Sequence, residues 1–211
     1  MNEDWWVKTG MVPAEQIFGA DETKQLNWWL KTDMAGETPL HFADQSGHLD
    51  RVPRAVLTVE HMMRQNHAGE TAFHFAAQEG HLNQVPVWFL STGCLLAEDN
   101  VGTTPLHWAA CYGHLDQVPV ELLNGENITR KNKHGITPLH WAMQNGNFEQ
   151  VPKEFLTADY LLVESNTGIT PLHFASARFL LDSLVGVELP ASARAIVGID
   201  GWEKKPGCNK C

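Results

Sequence analysis

Residues 102–123 read GTTPLHWAACYGHLDQVPVELL, a stretch that opens as a helix and closes as a sequence that resists one. Leu106, Ala109 and Ala110 fall at helical spacing behind Thr104 and Pro105, Gly113 marks a turn, and the next apolar run contains Pro119. Proline lacks a backbone donor and clashes with the turn before it, at about 3 kcal/mol in a helix interior. How the chain accommodates it decides the second half of the unit.

The stretch belongs to a series. GETPLHFADQSGHLDRVP from Gly36, GETAFHFAAQEGHLNQVP from Gly69, GITPLHWAMQNGNFEQVP from Gly135 and GITPLHFASARFLLDSLV from Gly168 align with it, each start 33 residues after the last. Thr38, Thr71, Thr104, Thr137 and Thr170 precede the helical run, where a hydroxyl accepts from an unpaired backbone N–H. Pro39, Pro105, Pro138 and Pro171 follow at the first helical position, where the missing donor costs nothing. Phe42, Phe75, Trp108, Trp141 and Phe174, each before an alanine, make a small-plus-large apolar surface suited to stacking on neighbours. Gly47, Gly80, Gly113 and Gly146 stop the helix, and Phe179 stands there in the last unit.

A 33-residue unit headed by Thr-Pro-Leu-His resembles the ankyrin repeat, and the resemblance covers residues 33 to about 185. It implies an all-α repeat solenoid, a helix-turn-helix stack with β-hairpin-like loops. It also implies that His41, His74, His107, His140 and His173 bond the local backbone and tie each hairpin to its neighbour. The sequence departs from the family at Pro53, Pro86, Pro119 and Pro152, each after a valine, where ankyrin second helices carry a helix former such as lysine. The prolines predict a second helix of fewer than about ten residues starting within two residues of each, after an extended or tightly turned entry. Thr58 and Thr157 are placed to cap one further turn.

Residues 1–35 read as an N-terminal cap, 36–185 as five units and 186–211 as a C-terminal cap and tail, in one continuous domain. Val12-Pro13 stands 24 residues before Gly36, where 17 separate Val118 from Gly135, so seven residues are inserted. The insertion is read within GADETKQLNWWLKTDMAG at 19–36, and Trp5, Trp6, Trp28 and Trp29 read as lids over the exposed end of the array, with a recognition patch as the alternative.

A formal charge of −10 on 211 residues argues against binding nucleic acid or anionic membrane surfaces. The absence of a long apolar run, an N-terminus without a basic-then-apolar order, and only four cysteines suggest a cytoplasmic monomer. No phosphate loop, nucleophile elbow or dinucleotide fingerprint is present, so the chain is expected to be no enzyme and to need no cofactor. Asp50, Asp116 and Glu149 share one repeat position and read as charges at a helix N-terminus. Of eleven histidines, eight repeat in register, leaving His61, His67 and His134 without metal-ligand spacing. Cys208 and Cys211 have CxxC spacing but offer only two ligands, and a metal or redox site built from them and the stray histidines is the rival reading.

Partner-binding residues are expected where the units vary, across the hairpin tips and the first helices, together a concave surface for a protein partner. On the helices these are Gln45-Ser46, Gln78-Glu79, Cys111-Tyr112, Gln144-Asn145 and Arg178, with Tyr112 foremost because aromatic side chains are enriched among binding hot spots. On the tips they are Met34, Glu37, His67, Glu70, Asn100, Thr103, Lys133, His134, Ile136 and Ile169. Plain solvent exposure also produces such variation. The run RKNKHG at 130–135 is a basic tip in an acidic chain, suited to an acidic partner group.

Overall fold

The structure is a computed structural model that describes residues 28–175. Residues 1–27 of the expected cap, and 176–211 with Arg178, Cys208 and Cys211, lie outside the described residues. The helices are α1 (Pro39–Gln45), α2 (Val59–Met62), α3 (Ala72–Glu79), α4 (Thr92–Leu95), α5 (Pro105–Tyr112), α6 (Gly125–Ile128), α7 (Pro138–Gln144), α8 (Ala158–Leu161) and α9 (Pro171–Ala175). No strand occurs among the described residues.

The odd-numbered helices are the first helices of the five units and lie side by side, each against the next. Thr38, Thr71, Thr104 and Thr137 are their N-caps in extended conformation, and proline opens α1, α5 and α7. At their C-terminal ends α3 and α5 stop at Gly80 and Gly113, with φ 76° and 80°. Only glycine fits at Gly80 for a second reason: an added Cβ would lie 2.7 Å from the His114 ring of the next unit. The next unit also supplies donors to the last carbonyls. His81 Nδ1 donates to Asp44 O at 2.8 Å, and Asn147 Nδ2 donates to Ala110 O and Cys111 O at 3.2 and 2.7 Å.

No single second helix forms after the prolines. Each unit instead makes a 3-10 turn before the Val-Pro pair, at Leu49–Arg51, Leu82–Gln84, Leu115–Gln117 and Phe148–Gln150. Val52, Val85, Val118 and Val151 then become extended, as residues before proline do. Pro86 and Pro152 keep ψ of 133° and 137°, so they precede the helical turn rather than open it. A 3-10 turn follows at Val87–Phe89 and Lys153–Phe155, while at Pro53 and Pro119 a single turn is closed by Val56 N–H and Leu122 N–H bonding the proline carbonyl at 2.9 Å. A new N-cap at Thr58, Ser91, Asn124 or Thr157 then starts a four-residue helix six residues beyond the proline. The Thr58 side chain accepts from His61 N–H, whereas Thr157 caps by position without a side-chain bond.

Short as they are, α2, α4, α6 and α8 each drive the apolar side chain at one shared repeat position into the core, and α4 adds Cys94. Met62, Leu95, Ile128 and Leu161 are equivalent and fully buried, beneath the equally buried Leu40, Phe73, Leu106, Leu139 and Leu172 of the first helices. Trp28 and Trp29 join this cluster, ring on ring edge-to-face at 4.9 Å; Trp5 and Trp6 lie outside the described residues.

Asp44 breaks the pattern. Ala77, Ala110 and Met143 fill its position in later units, yet Asp44 is fully buried and neither carboxylate oxygen has a donor among the described residues. Burial pushes its carboxyl well above the usual range. Replacing Asp44 by Ala should therefore raise the urea midpoint, by about 1–3 kcal/mol of unfolding free energy, the cost of an unsatisfied buried polar group. A lowered midpoint would show that the carboxyl stabilises the fold.

Candidate functional site

The first helices and the tips are joined by the histidines. In each unit the N-cap threonine N–H donates to the Nδ1 of the histidine three residues on, at 3.0, 2.9, 3.2, 3.2 and 3.0 Å from Thr38, Thr71, Thr104, Thr137 and Thr170. A ring nitrogen that accepts from an N–H carries no proton, so the network assigns the hydrogen to Nε2. From there His41, His74, His107 and His140 donate to Glu70 O, Thr103 O, Ile136 O and Ile169 O, 29 residues ahead, at 3.0–3.2 Å. One neutral ring thus caps its own helix and holds the following tip.

Each tip is shaped by a residue the sequence reading passed over. Asp33, Asn66, Asp99 and Asn132 turn Oδ1 back to two backbone N–H groups, two and four residues on, at 2.8–3.0 Å. Their signal is a short polar side chain three residues before each tip glycine, at the 33-residue period. Tips join their neighbours through His67 N–H to Ala35 O, Asn100 N–H to Ala68 O, Lys133 N–H to Val101 O and Asn166 N–H to His134 O.

On the first helices the large side chains form a half-buried row. Trp108 lies 5.3 Å from Trp141, and Tyr112 stacks on Trp108 at 5.8 Å with 29° between planes. Tyr112 is 49% exposed, the one large hydrophobic of the first helices that reaches so far into solvent among the described residues. The Trp108 indole N–H is buried beside it, with no acceptor among the described residues.

A family profile described as ankyrin repeats (3 copies) matches residues 56–120 and 119–188. The chain belongs to the ankyrin repeat family. Ankyrin repeats are generally protein–protein interaction modules and are typically non-enzymatic. No curated protein matches the chain.

Within this ankyrin array the expected helix residues come together as two parallel rows. Gln45, Gln78, Cys111 and Gln144 form one, and Ser46, Glu79, Tyr112 and Asn145 the other. Gln78 Nε2 donates to Glu79 Oε1 at 3.1 Å, and Asn145 Nδ2 donates to Trp141 O and Cys111 Sγ at 3.0 and 3.4 Å. Burial pushes the Cys111 thiol up, against a smaller opposing contribution from Asn145, which keeps it from acting as a thiolate.

The tips are less free than their sequence suggests. Met34 is 98% exposed, and His67, Asn100, Lys133 and His134 are exposed, but Thr103 is buried with its carbonyl taken by His74. Glu70 and Glu37 are half-buried, and Asn66 Nδ2 donates to Glu70 Oε2. Of the basic tip, Arg130 pairs with Glu98 at 2.8 Å and Lys133 Nζ donates to Asn100 O at 2.8 Å, so both cations already serve contacts with the preceding unit. Among the described residues no group of three or more His, Cys, Asp or Glu converges for a metal, and His61 is engaged by Val56 O at 2.8 Å. In the same residues no helix is long and apolar enough to cross a membrane.

Burial holds His74 and His107 down at about 4, with smaller opposing contributions from the carbonyls they meet, and lowers His41 and His140 in the same way. The unfolded chain takes up these protons near 6.5, while the fold refuses them until about 4. Protons bound by the unfolded state exceed those bound by the fold in that window, so stability falls as pH falls through it. Thermal unfolding of the Asp44→Ala chain, free of the opposing contribution of that carboxyl, should show a falling melting temperature from pH 7 to pH 4. Replacing His107 by Gln should lower stability at pH 7 and flatten the slope. An unchanged slope would contradict the neutral bridging role.

Proposed function

We propose that this chain is a non-enzymatic protein-binding module whose first-helix face and adjoining tips form a concave surface for a protein partner. The observation that carries the reading is the exposed Tyr112 ring, braced on Trp108 in a face whose repeating polar groups are otherwise engaged. A rigid aromatic side chain offers large contact area at small conformational cost, which is what a binding hot spot requires. The units repeat in backbone and core while Ser46, Glu79, Tyr112 and Asn145 differ at one position and Cys111 replaces the glutamine of Gln45, Gln78 and Gln144 at the other, so specificity is written in side chains on a common frame.

A photocrosslinking residue placed at position 112 should capture a discrete protein from the native lysate, whereas the same residue at Trp88, 76% exposed on the second-segment side, should not. Tyr112→Ala and Gln144→Ala should both weaken capture by a crosslinker placed at Asn145. Capture from position 88 in place of 112, or capture indifferent to both substitutions, would remove the first-helix face from consideration.

A further inference from the structure

The five described first helices contain neither lysine nor arginine. Their acidic residues are Asp44, sealed in the core, and Glu79, which is exposed. The bridging histidines of α1, α3, α5 and α7 are neutral and turned to carbonyl groups. Among the described residues, these helices therefore present one exposed formal charge, and that charge is negative; Arg178 lies outside them.

Glu79 and the exposed aromatic ring are neighbours by construction. Glu79 holds in α3 the position that Tyr112 holds in α5, 33 residues on, and the two helices pack directly on each other. Packed helices lie roughly 8–10 Å axis to axis. Gln78 Nε2 donates to Glu79 Oε1, and Oε2 has no donor among the described residues. Trp108 covers one face of the Tyr112 ring, which leaves the other for a ligand.

A ring face beside a carboxylate attracts a cation by two routes, the quadrupole of the ring and the charge of the carboxylate. A guanidinium uses both better than an ammonium, because it lies flat on a ring while its fork of N–H donors reaches a carboxylate. We propose that the Glu79–Tyr112 corner takes an arginine side chain from an exposed segment of the protein partner, its guanidinium over Tyr112 and bonded to Glu79. This assignment rests on the first-helix face being the binding surface. The exposed Glu79 carboxylate, with no lysine or arginine on the described stretches of the first helices, is the charge complementarity that supports it.

The probe is N-acetyl-arginine N-methylamide, titrated into the isotopically labelled full chain while the indole N–H resonances of Trp108, Trp141 and Trp88 are followed by NMR. The expected result is a saturable shift at Trp108 and Trp141 with Trp88 unmoved, and no saturable shift with the corresponding glutamate amide. Glu79→Gln and Tyr112→Leu should each weaken binding about two- to fivefold, the range for an exposed ion pair or cation–π contact. Both positions are on the surface, and an unchanged melting temperature would verify that the variants fold.

Equal shifts from the glutamate amide, a shift at Trp88 matching that at Trp108, or binding unaffected by both substitutions would overturn the proposal. So would a lysine amide that binds as tightly as the arginine amide. If a neutral or acidic probe occupies the corner while crosslinking from position 112 succeeds, the surface stands and the arginine assignment falls. If the arginine probe binds as expected and crosslinking from position 112 fails, the corner is a guanidinium site and the broader interface reading falls instead.

Discussion

The structure depends on a neutral imidazole that accepts on one nitrogen and donates on the other. Nδ1 receives the N-cap threonine N–H and Nε2 gives its proton to a carbonyl 29 residues ahead, so a single ring ends one helix's unmet donors and fixes the position of the next tip. Lysine could not accept and a carboxylate could not donate, which is why the position is histidine in every unit. The arrangement requires the ring to stay uncharged, and burial enforces that at His74 and His107.

Around that bridge the units exchange further bonds at every level. The tip of one unit takes a backbone bond from the next, the C-terminal carbonyls of α1 and α5 take side-chain donors from the following turn, and Gln117 and Gln150 accept from Asn83 N–H and Leu115 N–H one unit back. Each unit is completed by its neighbour, as expected for a stack whose members cannot bury their own apolar faces. The repeated Val-Pro pair belongs to the same economy. It divides the second half into short turns, and the four-residue helices that follow are held by one or two buried side chains, among them Met62, Leu95, Ile128 and Leu161, rather than by length.

Much of this was legible in the residues. The threonine caps, the prolines opening first helices and the glycine stops act within a few residues of themselves, and their period exposed the stack. The short helices after the prolines were half legible. Proline forbids a continuous helix, but whether a new helix starts at once or after another cap depends on Pro86 and Pro152 adopting ψ near 135°, which the pyrrolidine ring does not dictate. Of the candidate surface, Tyr112 stood out by type, while Thr103, Arg130 and Lys133 looked equally available until the neighbouring units claimed them.

The sequence by itself determined the repeat, the starts and stops of its first helices, and the family to which the chain belongs, because these follow from local backbone chemistry recurring every 33 residues. Tertiary structure alone decided which variable residues remain free. Asn147 and Gln150 are spent on carbonyls and N–H groups some 35 residues away, Asp44 is closed into the core with no donor among the described residues, and Tyr112 is propped outward on Trp108. Those outcomes depend on how adjacent units sit against each other, and that packing brings together side chains that no local pattern connects.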